Sequence, residues 1–115
     1  MKTSELIGPA LDWAVAKCER VEPGRSSGLP FLPEHRVYLE DFLPSYSWAQ
    51  GGPIIEREKI DIKWDRVVWM GASRWTQNAE RFYAYGSTPL IAAMRCYVAS
   101  KLGDDIDIPE KLKWK

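Results

Sequence analysis

The stretch "IDIKWDRVVWMGASRWTQNAERFYAYG", Ile60 to Gly86, decides the fold. Its first five residues alternate, with Ile60, Ile62 and Trp64 on one side and Asp61 and Lys63 on the other. Period-two alternation marks a strand with one buried face. "VVWMGASRW" (Val67 to Trp75) follows at once. It is apolar on both sides at first and predicts a central strand. Gly71 within it implies a bulge or a close neighbour, because glycine in a strand leaves space where a side chain would stand. "TQNAE" turns the chain, and "RFYAY" predicts a third strand. Strands joined by short connections pair with each other, so a three-stranded antiparallel meander is the simplest assembly.

Helical patterns lie on both sides of this core. In "STPLIAAMRCYVASKLG" (Ser87 to Gly103), Thr88 is an N-cap, Pro89 the first helical residue and Gly103 the stop. Leu90, Ile91, Met94, Val98 and Leu102 form a large apolar stripe; Ala92, Cys96 and Ala99 form a small one. A helix with a large and a small face can pack on a sheet while another helix approaches closely. "TSELIGPALDWAVAKCERV" (Thr3 to Val21) is that second helix, with Ile7, Leu11, Ala14, Cys18 and Val21 on its stripe and Val15 beside it. Its charged residues Asp12, Glu19 and Arg20 are expected to point outward. Either the helix begins with Pro9 at its first position, or a turn at Gly8-Pro9 is kinked into it. Trp13 lies off the stripe, at the edge of the core or facing a partner.

The middle of the chain is less regular. "EPGRSSGLPFLPEHR" (Glu22 to Arg36) has too many prolines, glycines and serines for a helix or inner strand and is expected to be a loop. "VYLEDFLPS" fits an edge strand at Val37 and Leu39 or a helical turn over Leu39 to Leu43. In "SYSWAQGGPIIEREKI" (Ser45 to Ile60), Gly51-Gly52 is expected to turn the chain into a short helix. That helix would start at Pro53, carry Glu56 and Glu58 in its early turns and dock through Ile54 and Ile55. The expected fold is a single α+β domain over residues 1–115. It consists of a small antiparallel sheet of about three strands packed against the N-terminal and C-terminal helices.

Composition narrows the function. Lys plus Arg equals Asp plus Glu, 16 each, and the signs are mixed along the chain. Phosphate binding needs uncompensated positive charge, so a nucleic-acid partner is not expected. The first residues lack a signal-peptide pattern and no run is long enough to span a membrane, so a cytoplasmic protein is expected. Cys18 and Cys96 both sit in apolar helical patterns and read as buried free thiols. The single histidine, His35, has no nucleophile tied to it, and two cysteines with one histidine do not make a zinc site. Asp104, Asp105 and Asp107 lack the glycine and terminal glutamate of a calcium loop. No metal or cofactor is expected.

Six tryptophans in 115 residues are the remaining signal. Some must be core; any left exposed would mark a contact surface. Two candidate surfaces follow. Tyr46, Trp48, Gln50, Gly51 and Gly52 combine aromatic faces, an amide and free backbone amides, the parts of a site for a flat small molecule or nucleotide. Trp69, Trp75 and Tyr83, with Phe82 and Tyr85, crowd the second and third strands and would suit a homo-oligomer or a protein target.

"WAQGGPIIEREKI" (Trp48 to Ile60) and "TPLIAAMRCYVASKLG" (Thr88 to Gly103), with "SELIGPALDWAVAKCE" at the N-terminus, resemble the paired signatures of the NinX-like small phage and prophage proteins. Ser47 stands where that pattern leads one to expect an acidic or amide residue, and Ser87 where it leads one to expect proline. The resemblance implies a phage accessory protein acting in the bacterial cytoplasm, and it brings no catalytic residues. The reading favoured is a non-enzymatic protein that binds a host or phage protein. The alternatives are a ligand binder using the Tyr46 to Pro53 segment and, third, an enzyme.

Overall fold

The computed structural model describes residues 1–19 and 42–108, together with three short strands between them. After a single 3-10 turn at Thr3–Glu5, the elements are α1 (Gly8–Cys18), β1 (Gly24–Ser26), β2 (Leu29–Leu32), β3 (Val37–Tyr38), α2 (Trp48–Glu58), β4 (Asp61–Asp65), β5 (Val68–Ala72), β6 (Tyr83–Gly86) and α3 (Pro89–Leu102). Val21, His35 and Trp114 lie outside the described residues.

Strands β4, β5 and β6 form the expected antiparallel meander. Arg66 and Val67 make the first turn, and Arg66 takes a left-handed backbone conformation, φ 65°, to close it. Beside that turn Trp64 pairs with Trp69 across the strands, ring centroids 5.3 Å apart. Such aromatic pairs hold hairpin register.

Helix α3 lies directly on this sheet, and glycine is the reason. A Cβ on Gly71 would stand 2.8 Å from the Ala92 carbonyl oxygen; one on Gly86 would stand 2.7 Å from the Ala92 nitrogen. Gly71 is therefore the close-neighbour glycine its strand position implied. The small residues of α3 lie on the sheet, with Ile91 beside them against Gly86, and the Cys96 thiol reaches the Phe82 carbonyl at 3.4 Å. The larger residues Leu90 and Tyr97 reach α2 and α1 instead. The α3 caps are as expected, with Thr88 Oγ1 accepting the Ile91 N–H and Gly103 at φ 91°.

Four expectations need correction. The stretch from Glu22 to Arg36 contains two strands, β1 and β2, which with β3 make a second small antiparallel sheet. Pro30 pairs with Arg25 of β1 and stands just before the β2–β3 pairing, which covers Phe31 and Leu32.

Asp12 does not point outward; it is 1% exposed. Its carboxylate accepts the Ser45 N–H at 2.9 Å and pins the turn before α2 onto α1. Ile7, by contrast, precedes the helix in extended backbone and is exposed.

Gly51-Gly52-Pro53 is no turn. It lies inside α2, which starts at Trp48 with Ser47 as N-cap. A Cβ on Gly51 would stand 2.3 Å from the Pro44 carbonyl oxygen and 2.7 Å from Leu90 Cδ2, so this glycine serves a close approach. Pro53 leaves the Ala49 carbonyl without its helical donor, and both residues are exposed, where water can supply the bond. Lys59, in the left-handed region at φ 57°, ends the helix.

The two glycines of α2 should therefore respond in opposite directions. A Cβ on Gly52 meets nothing within 4 Å. Gly52→Ala is expected to stabilise the protein by about 0.5–1 kcal/mol, the helix-propensity gain. Gly51→Ala is expected to destabilise it by about 1–3 kcal/mol through overpacking against backbone. Urea melts of both variants check this. Equal shifts of one sign would contradict the helical placement.

Candidate functional site

Residues of a strand alternate between faces. Since Gly71, Ala84 and Gly86 belong to the α3 side, the opposite face carries Asp61, Lys63 and Asp65 from β4, Val68, Met70 and Ala72 from β5, and Tyr83 and Tyr85 from β6. One edge is charged, the middle apolar and the other edge aromatic. Tyr83 and Tyr85 are each 49% exposed, and Met70 between Lys63 and Tyr85 is only partly covered. At one end Arg81 lies across the face. It pairs with Asp61, donates to the Ser73 carbonyl, and sits 5.4 Å from the Trp75 ring and 5.8 Å from the Tyr83 ring. Ala72, between Asp61 and Tyr83 in the register, is buried there.

The residues singled out in the sequence separate into two groups. Trp75 and Tyr83 are brought together by Arg81. Tyr46 and Trp48, 82% and 54% exposed, line a shallow cleft of about 210 Å³ with Thr88, Pro89 and Ile91 at the start of α3. Gln50 has a structural bond, its Oε1 accepting the Leu43 N–H at 2.7 Å. Gly51 is packed under Pro44, Gly52 faces open space, and Trp69 is half-buried against Trp64.

A further cluster, where the last turns of the three helices meet, was missed. Arg57 grips both carboxylate oxygens of Glu19, at 2.6 and 3.2 Å, and donates to the Tyr97 hydroxyl at 3.0 Å. The Tyr97 hydroxyl in turn donates to Glu19 at 2.5 Å. Next to it, Glu58 takes Arg57 at 2.9 Å, Lys101 at 3.4 Å and Arg74 at 3.9 Å. Burial works against the Glu58 charge, but the Arg57 bond and the Lys101 charge hold its pKa below the usual value. The members stand 38 and 78 positions from Glu19, and no local motif announces them.

The two thiols of α1 and α3 and the Tyr97 phenol all have raised pKa values. Burial, and then the Glu19 charge, push the Cys18 thiol up to about 12; burial pushes Cys96 up to about 11. Burial and the bond to Glu19 also raise Tyr97. Reactive thiols and phenols have lowered values. These groups stay protonated, and the cluster clasps α1, α2 and α3 together.

Asp12 gives the protein a distinctive pH dependence. Burial, only partly offset by the Ser45 bonds, raises its pKa from 3.8 to about 6. The native state thus binds this proton more tightly than the unfolded chain. That contribution is fully present below 3.8 and is lost as pH rises through about 6. A shift of about two units corresponds to ~3 kcal/mol. Wild-type stability is expected to increase on acidification from pH 7.5 to 5, and Asp12→Asn should abolish that increase. Urea melts at the two pH values decide; a slope unchanged in the variant would remove Asp12 as its source.

The fold and its surfaces define a small α+β protein with a clasped helical layer and an aromatic sheet face left open. The sequence model of the family described as Bacteriophage P22, NinX matches residues 2–101. The chain belongs to this family and is a phage protein. None of the curated proteins matches it. No described helix is long and apolar enough to cross a membrane.

Proposed function

We propose that the protein is a non-enzymatic phage accessory factor that binds another protein, of the host or the phage, through the open face of the β4–β6 sheet. The observation that carries this reading is the exposure of Tyr83 and Tyr85 beside Met70, on the face turned away from α3. Tyrosines combine a large apolar ring with a hydroxyl and dominate many protein interfaces. Family membership supports the setting we propose, the cytoplasm of an infected bacterium. The cationic side chains Arg57 and Arg81 are held by carboxylates, which favours a protein target over nucleic acid.

The ligand-binding alternative has the cleft at Tyr46 and Trp48 in its favour. That cleft is smaller than the roughly 300–1,000 Å³ usual for small-molecule sites, and Gln50 and Gly51 are engaged in packing. The test is native mass spectrometry of the tagged protein isolated gently from phage-infected cells, as wild type and as the Tyr83→Thr/Tyr85→Thr variant. The expected result is a discrete heavier complex for the wild type and the bare mass for the variant. A bare wild type, or a complex unchanged in the variant, would overturn the proposal. A small-molecule mass excess kept by this variant and lost in Trp48→Ala would move the site to the cleft.

A further inference from the structure

We propose that the groove along the free edge of β6 takes an extended acidic segment of the partner protein as an added strand. The inference rests on the sheet being the protein-binding surface, and it names the form and charge of what binds there.

Strand β6 is an outer strand of its sheet. In an antiparallel ladder, alternate residues turn both backbone groups toward the neighbouring strand. The Ser73 N–H donates to the Phe82 carbonyl at 2.8 Å. That bond places Phe82, Ala84 and Gly86 on the β5 side and turns the backbone of Tyr83 and Tyr85 outward. Arg95 agrees with this phase, since its Nη1 donates to the Tyr85 carbonyl at 2.8 Å. Among the described residues the N–H and C=O of Tyr83 and the N–H of Tyr85 have no partner and are left for an incoming strand. β6 contains neither the proline nor the lysine that commonly protects an edge.

Along this edge runs a groove of about 420 Å³, with Val68, Tyr83 and Tyr85 on one wall and Ser4, Arg95 and Ala99 on the other. Edge amides bordering a groove are the arrangement by which sheets accept a peptide: main-chain bonds give affinity and alternate side chains enter the groove.

Charge selects the peptide. Arg95 is partly buried and donates to the carbonyls of Leu6 and Tyr85, both at 2.8 Å. Among the described residues Nη2 has no acceptor and the guanidinium has no ion pair; Asp104 lines the same groove without pairing to it. A carboxylate on the added strand supplies the missing partner in a charge-assisted bond. A free small acid would meet Arg95 but leave the edge amides unused. A second copy pairing through this edge would bring two Arg95 side chains to one interface, a like-charge arrangement.

The probe is a display library of random seven-residue peptides selected on the wild-type protein, with affinities of the enriched peptides then measured by fluorescence anisotropy. Enriched peptides are expected to carry Asp or Glu at one fixed position. Changing that acid to its amide, or Arg95→Met in the protein, should each weaken binding by roughly tenfold or more, and the two losses should not add. Ser4→Trp, a substitution at an exposed residue of the groove wall, closes the groove and should give a comparable loss if Arg95→Met fails to fold. The proposal is overturned by enrichment without a fixed acid, by affinities that ignore both variants, or by a wild-type dimer that Ser4→Trp dissolves. A complex from infected cells that survives Ser4→Trp and Arg95→Met but is lost in Tyr83→Thr/Tyr85→Thr would sink this inference alone and leave the sheet face standing.

Discussion

Gly71→Val is expected to lower stability by about 3 kcal/mol or more, the upper end for overpacking a core. For a domain of this size that is a fall of roughly 10–20 °C in the melting temperature. The clash is with backbone, since the Cβ alone would stand 2.8 Å from the Ala92 carbonyl oxygen and 3.2 Å from the Ala93 Cα. A side chain could rotate away; a helix backbone cannot. Relief requires α3 to lift from the sheet, which would open the contacts around Cys96 and Ala84 as well. Thermal melts followed by circular dichroism read the effect. A shift below about 1 kcal/mol would mean that α3 does not sit on β5 in this way.

Arg57→Met is expected to destabilise by about 2 kcal/mol at neutral pH. Breaking a fully buried ion pair costs roughly 3–5 kcal/mol, and Arg57 is half exposed, so solvent reduces the figure. What remains is the burden on the carboxylates. Glu19 and Glu58 keep only 13% and 15% of their side-chain surface exposed and would lose their shortest cationic contacts. The pH dependence identifies the cause. Glu58 has a folded-state pKa below the ordinary 4.5. Its contribution is present above 4.5 and is lost as pH falls through the folded value. The gap between variant and wild type should therefore narrow below pH 4 in urea melts. A gap independent of pH would assign the loss to packing against Tyr97 instead, where the guanidinium lies 5.8 Å from the ring centroid.

The sheet and α3 were legible because their signals are local. Alternation in "IDIKW", the Thr88-Pro89 start and the Gly103 stop each depend on residues within one element. Gly71 was legible for the same reason: a glycine among strand formers advertises a close neighbour, although not which one. The start of helix α2 was misread because Gly-Gly-Pro is a breaker by propensity, and Pro44 and Leu90, packed against Gly51, overrule it; the docking through Ile54 and Ile55 is as expected. Asp12 was misread likewise. A charge on a helix faces water unless a partner is supplied, and the partner, Ser45, lies 33 residues away. The clasp and Arg95, which has no ion pair among the described residues, carry no local pattern at all. Of the aromatic residues read as a site, Trp75 and Tyr83 do converge, through an arginine whose position the sequence did not disclose.

The contacts that fix α3 lie on one side of the β4–β6 sheet, and the recognition surface we propose lies on the other. The α3 side is fixed by glycine and alanine, and the other side keeps its aromatic edge exposed. The most direct measurement is photo-crosslinking in phage-infected cells, with a benzophenone amino acid placed at position 85 on the sheet face or at position 46 in the cleft. Position 85 is expected to give a crosslinked band of higher mass containing a second polypeptide, and position 46 none above background. Crosslinks from position 46 alone, or from neither position, would contradict a protein-binding sheet face.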